Sequence, residues 1–210
     1  DIDTNWPETS KLPFAMNLRS MGEIGNIQAE TNALLAQYEI DQSAYTPEML
    51  EPLFELLKET HVDALTQQVT WTIPEQEMRK RRDLRDMCIV TIDPSNAKDL
   101  DDAVHVVPLG NDIYEVGVHI ADVSYFVQPG TALDEEAKRR ATSTYLVQKV
   151  IPMLPPVLCE ELCSLNPNVD RLAFSCIFKL RGDGKLVEEE AWFGRTVIRS
   201  CAKLDYATAQ

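Results

Sequence analysis

The segment TIDPSNAKDLDD, residues 91–102, gathers Asp93, Asp99, Asp101 and Asp102 directly after the apolar run Met87 to Ile92. Two like charges about 4 Å apart repel by ~1 kcal/mol in water and ~4 kcal/mol at the effective dielectric of a protein surface. Lys98 is the one cation inside the stretch and cannot neutralise four carboxylates. Three arrangements relieve such a set: a divalent cation, basic partners from elsewhere in the fold, or full solvation on an exposed loop. Pro94 fixes φ and holds Asp93 extended before it, and the small polar residues that follow are loop chemistry. The first aspartate therefore falls at the end of a strand and the other three at the start of the next segment, so oxygens can converge on one point from two sides. An EF-hand register fails. Counted from Asp93, the sixth position is Lys98 where glycine is required and the twelfth is Val104 where glutamate is required; counted from Asp99, the twelfth is Gly110. A compact carboxylate site that keeps several waters suits magnesium, and such sites commonly act on phosphates.

The elements that must position these acids follow from periodicity. AVHVVPL and IYEVGVHIA flank Gly110, Asn111 and Asp112 as a hairpin. The strand period runs on into VSYFV, which closes at Pro129 and Gly130. TALDEEAKRRATSTYL then reads as a helix, with Thr131 and Asp134 in capping-box spacing and Lys138, Arg139 and Arg140 placed late, where they suit the helix dipole. IPMLPPVLCEELCSLNP is a proline-bounded loop with a short helix. RLAFSCIFKL alternates with Leu172, Phe174, Cys176 and Phe178 on one face, and turns through RGDGK into AWFGRTVIRSCAKL.

Upstream, residues 1–25 read as the tail of a preceding β-barrel of cold-shock or OB type, and residues 26–86 as a helical lead-in to the segment 87–210. Within the lead-in, Leu50, Leu53, Phe54 and Leu57 keep helical spacing after the start signal Thr46-Pro47, and Pro52 makes that helix short or kinked. A further helix is expected to start at Pro74, carrying the basic cluster Arg79 to Arg85 as a solvated face, with phosphate contact as its alternative. The fold class is mixed α/β, of α+β type, with mainly antiparallel strands and packed helices.

Composition bounds the partners. The 210 residues carry a formal charge of −14, which argues against a generic basic nucleic-acid binder but leaves a nuclease open, because the location of the charge decides. Residues 1–70 hold Lys11, Arg19 and Lys58 against twelve acidic residues, a net of −9, so most of the acidity lies outside the aspartate segment. No run of 18 apolar residues or basic-then-apolar leader occurs, so neither a membrane span nor secretion is expected. The five cysteines are odd in number and mostly lie in apolar patterns, which fits reduced thiols inside a cell. Cys159 and Cys163 stand four apart and read as packing in preference to a zinc site.

DPSNAKDLDDA, VGVHIADVSYFV, RATSTYL, IPMLPPVLCEELCSLNP and KLDYATAQ occur in the order seen in the RNase II/RNase R (RNB) exoribonucleases. The chain resembles that family closely over residues 71–210. Within it, the resemblance is greatest to the eukaryotic cytoplasmic, exosome-independent branch that degrades RNA with oligouridylated 3′ ends. The resemblance implies the amino-terminal part of an RNB-type catalytic domain: a cytoplasmic, processive 3′–5′ hydrolase of single-stranded RNA with a free 3′ end, releasing nucleoside 5′-monophosphates. It implies Mg2+, with Mn2+ as the substitute ion, held by the four aspartates. Asp93, Asp99 and Asp102 come foremost as ligands, and Asp101 acts catalytically by orienting the water or binding a second ion. Tyr145 matches the tyrosine that stacks on a base near the 3′ end, with core packing as its alternative. Tyr206 matches a second tyrosine, beside the scissile phosphate, again with packing as its alternative. His119 reads as a structural strand histidine. The family's phosphate-contacting basic residue, its partners for the 3′ nucleotides and its terminal RNA-binding barrel do not occur in this sequence, so the remainder of the polypeptide is an expected partner and the isolated piece is expected to be inactive. A non-catalytic RNA-binding or scaffold module of the same fold is the rival reading.

Overall fold

In the computed structural model, residues 20–58, 61–62, 69–187 and 191–210 are described, so residues 1–19 of the expected barrel tail 1–25 lie outside the described residues. The chain divides into two compact units, residues 1–43 and 44–210. In the first, helix α1 (Ile27–Gln37) starts at Asn26, whose side chain accepts from the amides of Gln28 and Ala29, and Ala29, Thr31 and Leu35 are its buried positions.

The second unit begins with α2 (Pro47–Leu56), capped by the Thr46 hydroxyl on the Met49 amide, with Pro52 inside it. Of the expected stripe, Leu53 is fully buried while Phe54 faces solvent. Two short strands, β1 (His61–Val62) and β2 (Val69–Thr70), pair antiparallel. Helix α3 (Glu75–Met78) is a single turn, and the chain continues into β3 (Arg82–Asp83). The basic cluster is therefore not a helix face. Arg81 is buried, its guanidinium 2.9 Å from Glu77 and 2.7 Å from Asp122. A buried charge needs such partners, and the two acids supplied from α3 and from the end of a later strand draw Arg81 inward.

Four longer strands, with β4 (Ile89–Ile92), make a closed ring. They are β5 (Asp102–Gly110), β6 (Ile113–Ala121), β9 (Asp170–Arg181) and β10 (Trp192–Leu204); β7 (Thr144–Tyr145) and β8 (Val150–Ile151) form a separate antiparallel pair between them in sequence. β4 pairs with β5, β5 with β6, β6 with β9 and β9 with β10, all antiparallel; β10 then closes on β4 in parallel and also pairs with β3. Closure removes free sheet edges. The β5–β6 turn takes Asn111 and Asp112 at φ of 52° and 58°, the left-handed region that these residue types tolerate.

The barrel interior corrects one expectation. On β9 the buried face is Ala173, Ser175 and Ile177, while Phe174 is half exposed. A narrow interior takes small side chains, and a polar relay occupies it. His105 Nδ1 lies 2.8 Å from His119 Nε2, His119 Nδ1 2.7 Å from Ser175 Oγ, and Ser175 Oγ 2.6 Å from Thr196 Oγ1. Gly117 is required there, since a Cβ would stand 2.2 Å from the His105 ring.

The chain leaves the barrel after β6. VSYFV is not a strand: Val123–Tyr125 is a 3-10 turn, started where the Asp122 amide donates to Leu172 O at 2.9 Å. Helix α4 (Ala132–Arg140) follows, with Thr131 accepting from the Asp134 amide at 3.2 Å and Asp134 accepting from the Gly130 amide at 2.8 Å. The segment Val157–Leu162 is a π-helical turn. A core of Leu53, Trp71, Leu84, Leu100, Phe126, Leu133, Leu158 and Leu162 fills the space between these elements and the barrel.

Candidate active site

β4 delivers Asp93 at its end, where the Asp93 amide donates to Leu204 O at 3.0 Å, and β5 starts at Asp102. Between them the loop carries Asp99 and Asp101, and the Asp101 carbonyl accepts from the Ala121 amide at 2.8 Å. Asp93 and Asp99 are half-buried; Asp101 and Asp102 are exposed.

Their charges act on one another. Burial, and then the neighbouring Asp102, push the Asp93 carboxyl above the usual carboxylate range. Although the residue as a whole is exposed, the Asp101 carboxyl is raised by partial desolvation against the surrounding protein and then by Asp99, Asp102 and Asp93 in turn. Thr91 stands near enough to ease the Asp93 charge, yet Asp93 Oδ2 is buried with no hydrogen-bond partner among the described residues. The nearby lysines make their bonds elsewhere, although the Lys203 charge still eases Asp93. Lys98 turns to Glu160 at 3.4 Å, and Lys203 donates to the carbonyls of Ser95, at 3.1 Å, and Ala97. Among the described residues no three His, Cys, Asp or Glu side chains are gathered tightly enough to cage a metal. The set is charged for a cation and open in geometry.

Tyr145 joins this set from β7. Its hydroxyl donates to Asp99 Oδ2, and that bond followed by burial pushes the phenol up to about 12. The ring itself is 62% exposed. Arg140 stacks over the Tyr45 ring at 4.3 Å and, with the Tyr45 hydroxyl, donates to Pro152 O, while the Met153 amide donates to Ser143 Oγ at 3.1 Å. These contacts hold the β7–β8 pair in place. Asp99, Tyr145 and Cys159 form the wall shared by two clefts of about 510 Å³ and about 270 Å³; Lys98 and Lys149 line the larger, Asp101 and Ser143 the smaller. The half-buried Cys159 thiol is pushed up to about 11 by burial and by Asp101, so it is a neutral neighbour.

Tyr206 lies in the turn after β10 and is 64% exposed. The register Leu204↔Ile92 brings this turn to the Asp93 end of the site, and Asp205 organises it by accepting from the Thr208 amide at 2.7 Å. Among the described residues Tyr206 makes no hydrogen bond with the aspartates. The structure thus sets the four aspartates within electrostatic reach of one another without gathering them into a cage, joins Tyr145 to Asp99 and leaves Tyr206 at the margin.

Three supporting residues were not singled out from the sequence. Ser164 Oγ donates to Lys98 O at 2.7 Å and accepts from the Leu100 amide at 3.1 Å, pinning the aspartate loop from below. Arg171 in turn holds Ser164 O at 2.8 Å. Lys203 is the third. All lie within or beside motifs that were read for packing, and pairing across 64 residues leaves no local pattern.

Comparison with known proteins decides the family. Residues 81–210 match the RNB domain. The chain belongs to the RNB family. Residues 2–39 additionally match the Dis3-like cold-shock domain 2 (CSD2). The RNB chain is 51% identical over 207 residues to DIS3-like exonuclease 2 of Xenopus tropicalis, covering 99% of this chain and 23% of the relative. It is 46% identical over 206 residues to an Arabidopsis thaliana protein named Inactive exonuclease DIS3L2, covering 98% of this chain and 18% of that one. It thus spans about a quarter or less of the length of these relatives. Mycoplasma genitalium RNase R, solved in complex with ribose-methylated single-stranded RNA, superposes with a TM-score of 0.69 at 27% identity, over 86% of this chain and 26% of that one. The family is one of RNA-degrading nucleases, and it includes a relative named inactive.

Proposed function

We propose that this RNB chain carries the aspartate site of a metal-dependent 3′–5′ exoribonuclease, which hydrolyses single-stranded RNA to nucleoside 5′-monophosphates. The observation that supports it is that Asp93, Asp99, Asp101 and Asp102, carried by the end of β4, the loop after it and the start of β5, lie within electrostatic reach of one another, with an oxygen of Asp93 buried and unpartnered among the described residues. Asp93, Asp99 and Asp102 would hold Mg2+ or Mn2+, with Asp101 orienting the water or sharing a second ion. Such an ion, when bound, lowers the pKa of an attacking water and balances charge on the leaving 3′ oxygen.

The chain's own residues do the rest. Tyr145 presents an exposed face on which any base can stack, and its bond to Asp99 fixes the ring relative to the acids. By the same proposal Tyr206, in the turn after β10, would meet the scissile end. Lys203 and Ser164 keep the loop from spreading under its own repulsion. The activity is proposed for the whole polypeptide acting in the cytoplasm on RNA with a free 3′ end, an oligouridylated tail being one such substrate. By the same proposal the 210-residue chain alone is nearly inactive.

The second reading, a non-catalytic RNA-binding or scaffold module, is favoured by one observation: a relative 46% identical over nearly the whole chain is named inactive. The two are separated by incubating full-length polypeptide with a 3′-labelled single-stranded RNA and either Mg2+ or EDTA. Mononucleotide release that requires the ion supports the exonuclease; RNA retention without release supports the module.

A further inference from the structure

β4 and β10 run side by side in parallel and both end at the site: Asp93 lies five residues after Cys88, and Tyr206 five after Cys201. The pairing is regular from Ala202↔Val90 to Leu204↔Ile92 but shifts between Ser200 and Ala202, which makes Cys201 the extra residue of a bulge. A bulge re-aims the side chain it adds. Here Ser200 and its partner Ile89 point inward and are buried, whereas Cys201 and Cys88 are exposed free thiols. The Cys201 thiol is the neighbour that pushes the Cys88 thiol above its ordinary range. Cys201 Sγ also lies 3.9 Å from the carbonyl of Met87, the residue before Cys88. Of the other cysteines, Cys163 is buried and Cys159 and Cys176 are half-buried, so this pair alone among the described cysteines combines exposure with a thiol neighbour.

We propose that Cys88 and Cys201 form a reversible disulfide, made and broken by exchange with a low-molecular-weight disulfide of the glutathione type. One thiolate attacks the small disulfide, forming a mixed disulfide and expelling one small thiol. The neighbouring thiolate then attacks the protein-side sulfur, closing the Cys88–Cys201 bond and expelling the second small thiol. Two protein thiols are oxidised, one small disulfide is reduced to two thiols, and the protons pass to those thiols. The bond staples β4 to β10 just before the ends that carry Asp93 and Tyr206, which makes the spacing of that pair of ends sensitive to redox state.

The test is peptide mapping of the full-length polypeptide after incubation with glutathione disulfide, alkylation and tryptic digestion. Arg85, Lys98, Arg199 and Lys203 frame peptides 86–98 and 200–203, each with one of the two cysteines. The expected result is one cross-linked species joining these peptides, lost on treatment with dithiothreitol. In Cys201→Ser, Cys88 should instead keep a glutathione adduct. Separate glutathione adducts on both cysteines of the unaltered protein, full alkylation of both, or a bond from either to another cysteine or a second copy would each overturn the proposal.

Discussion

Tyr145 donates its phenolic hydrogen to Asp99 across 46 residues of sequence, tying an exposed aromatic face of the site to one of its acids. Because the carboxylate accepts that hydrogen, the phenol is held neutral, up to about 12, and stays a donor through the physiological range. The ring and the hydroxyl therefore have separable jobs, one toward a base and one toward the acid set.

Replacing Tyr145 tests that separation. Tyr145→Ala removes both, and since stacking is worth ~1–3 kcal/mol per base, the length of the final product should change. Tyr145→Phe keeps the ring and should leave the product length as it is while slowing release, because Asp99 loses its positioning bond. Denaturing gels of a labelled single-stranded RNA, run with full-length polypeptide, read both. Identical ladders for all three proteins would assign Tyr145 to packing.

Asp101→Asn separates cleavage from binding. The variant removes one negative charge from a set whose members already repel, so RNA affinity should hold or rise. Mononucleotide release should fall by ~100-fold or more, the scale associated with losing a positioned charged group at a reacting centre. Filter binding and product release on the same preparation decide it, and a parallel loss of both would count against a catalytic Asp101.

Much of this site was legible because its signals are local. Asp93-Pro94 after an apolar run marks a strand end, Gly110-Asn111-Asp112 marks a tight hairpin, and Thr131 with Asp134 marks a helix start; each appears where periodicity and turn chemistry put it. What escaped depends on partners far along the chain. Nothing in AWFGRTVIRSCAKL announces that its second half lies parallel to β4 and closes a barrel. Nothing in RLAFSCIFKL says that Ser175 will face inward and Phe174 outward, since that choice follows from the relay reaching it from His119. Arg81 likewise looks like surface until Asp122, 41 positions later, is folded against it.

Ser164→Ala probes one such long-range contact. The change strips the Lys98 carbonyl and the Leu100 amide of their shared partner while leaving the packing of a small side chain nearly intact. Leaving buried polar groups unsatisfied costs about 1–3 kcal/mol, so urea unfolding should show a loss of that size. Amide exchange at Leu100 should accelerate ahead of exchange in β5. An unchanged Leu100 exchange rate would mean that the aspartate loop is held without Ser164.

The relay inside the barrel makes stability depend on pH in a direction that can be worked out. His119 is wholly buried, and burial followed by His105 pushes its imidazole down to about 4. His105 is lowered too, chiefly by burial, with Glu115 at 3.6 Å pulling the other way. With His105 Nδ1 and His119 Nε2 at 2.8 Å, one nitrogen must accept, so a second proton has no place in the contact. An unfolded histidine titrates near 6.5, so between there and 4 the unfolded state binds the extra proton. The contribution is therefore fully present above about pH 6.5 and lost as pH falls toward 4, at ~1.4 kcal/mol per unit or on the order of 3 kcal/mol in all. The raised carboxyls of Asp93 and Asp101 act oppositely, favouring the folded state as pH falls, so total stability alone cannot isolate the relay. The direct measurement is an NMR titration of the His119 ring: its Cε1–H resonance should stay at the neutral position from pH 7 to below 5 and move only near 4. A midpoint near 6.5 would show that the ring reaches solvent, and that the hydrogen bonds to His105 and Ser175 do not hold the barrel interior together.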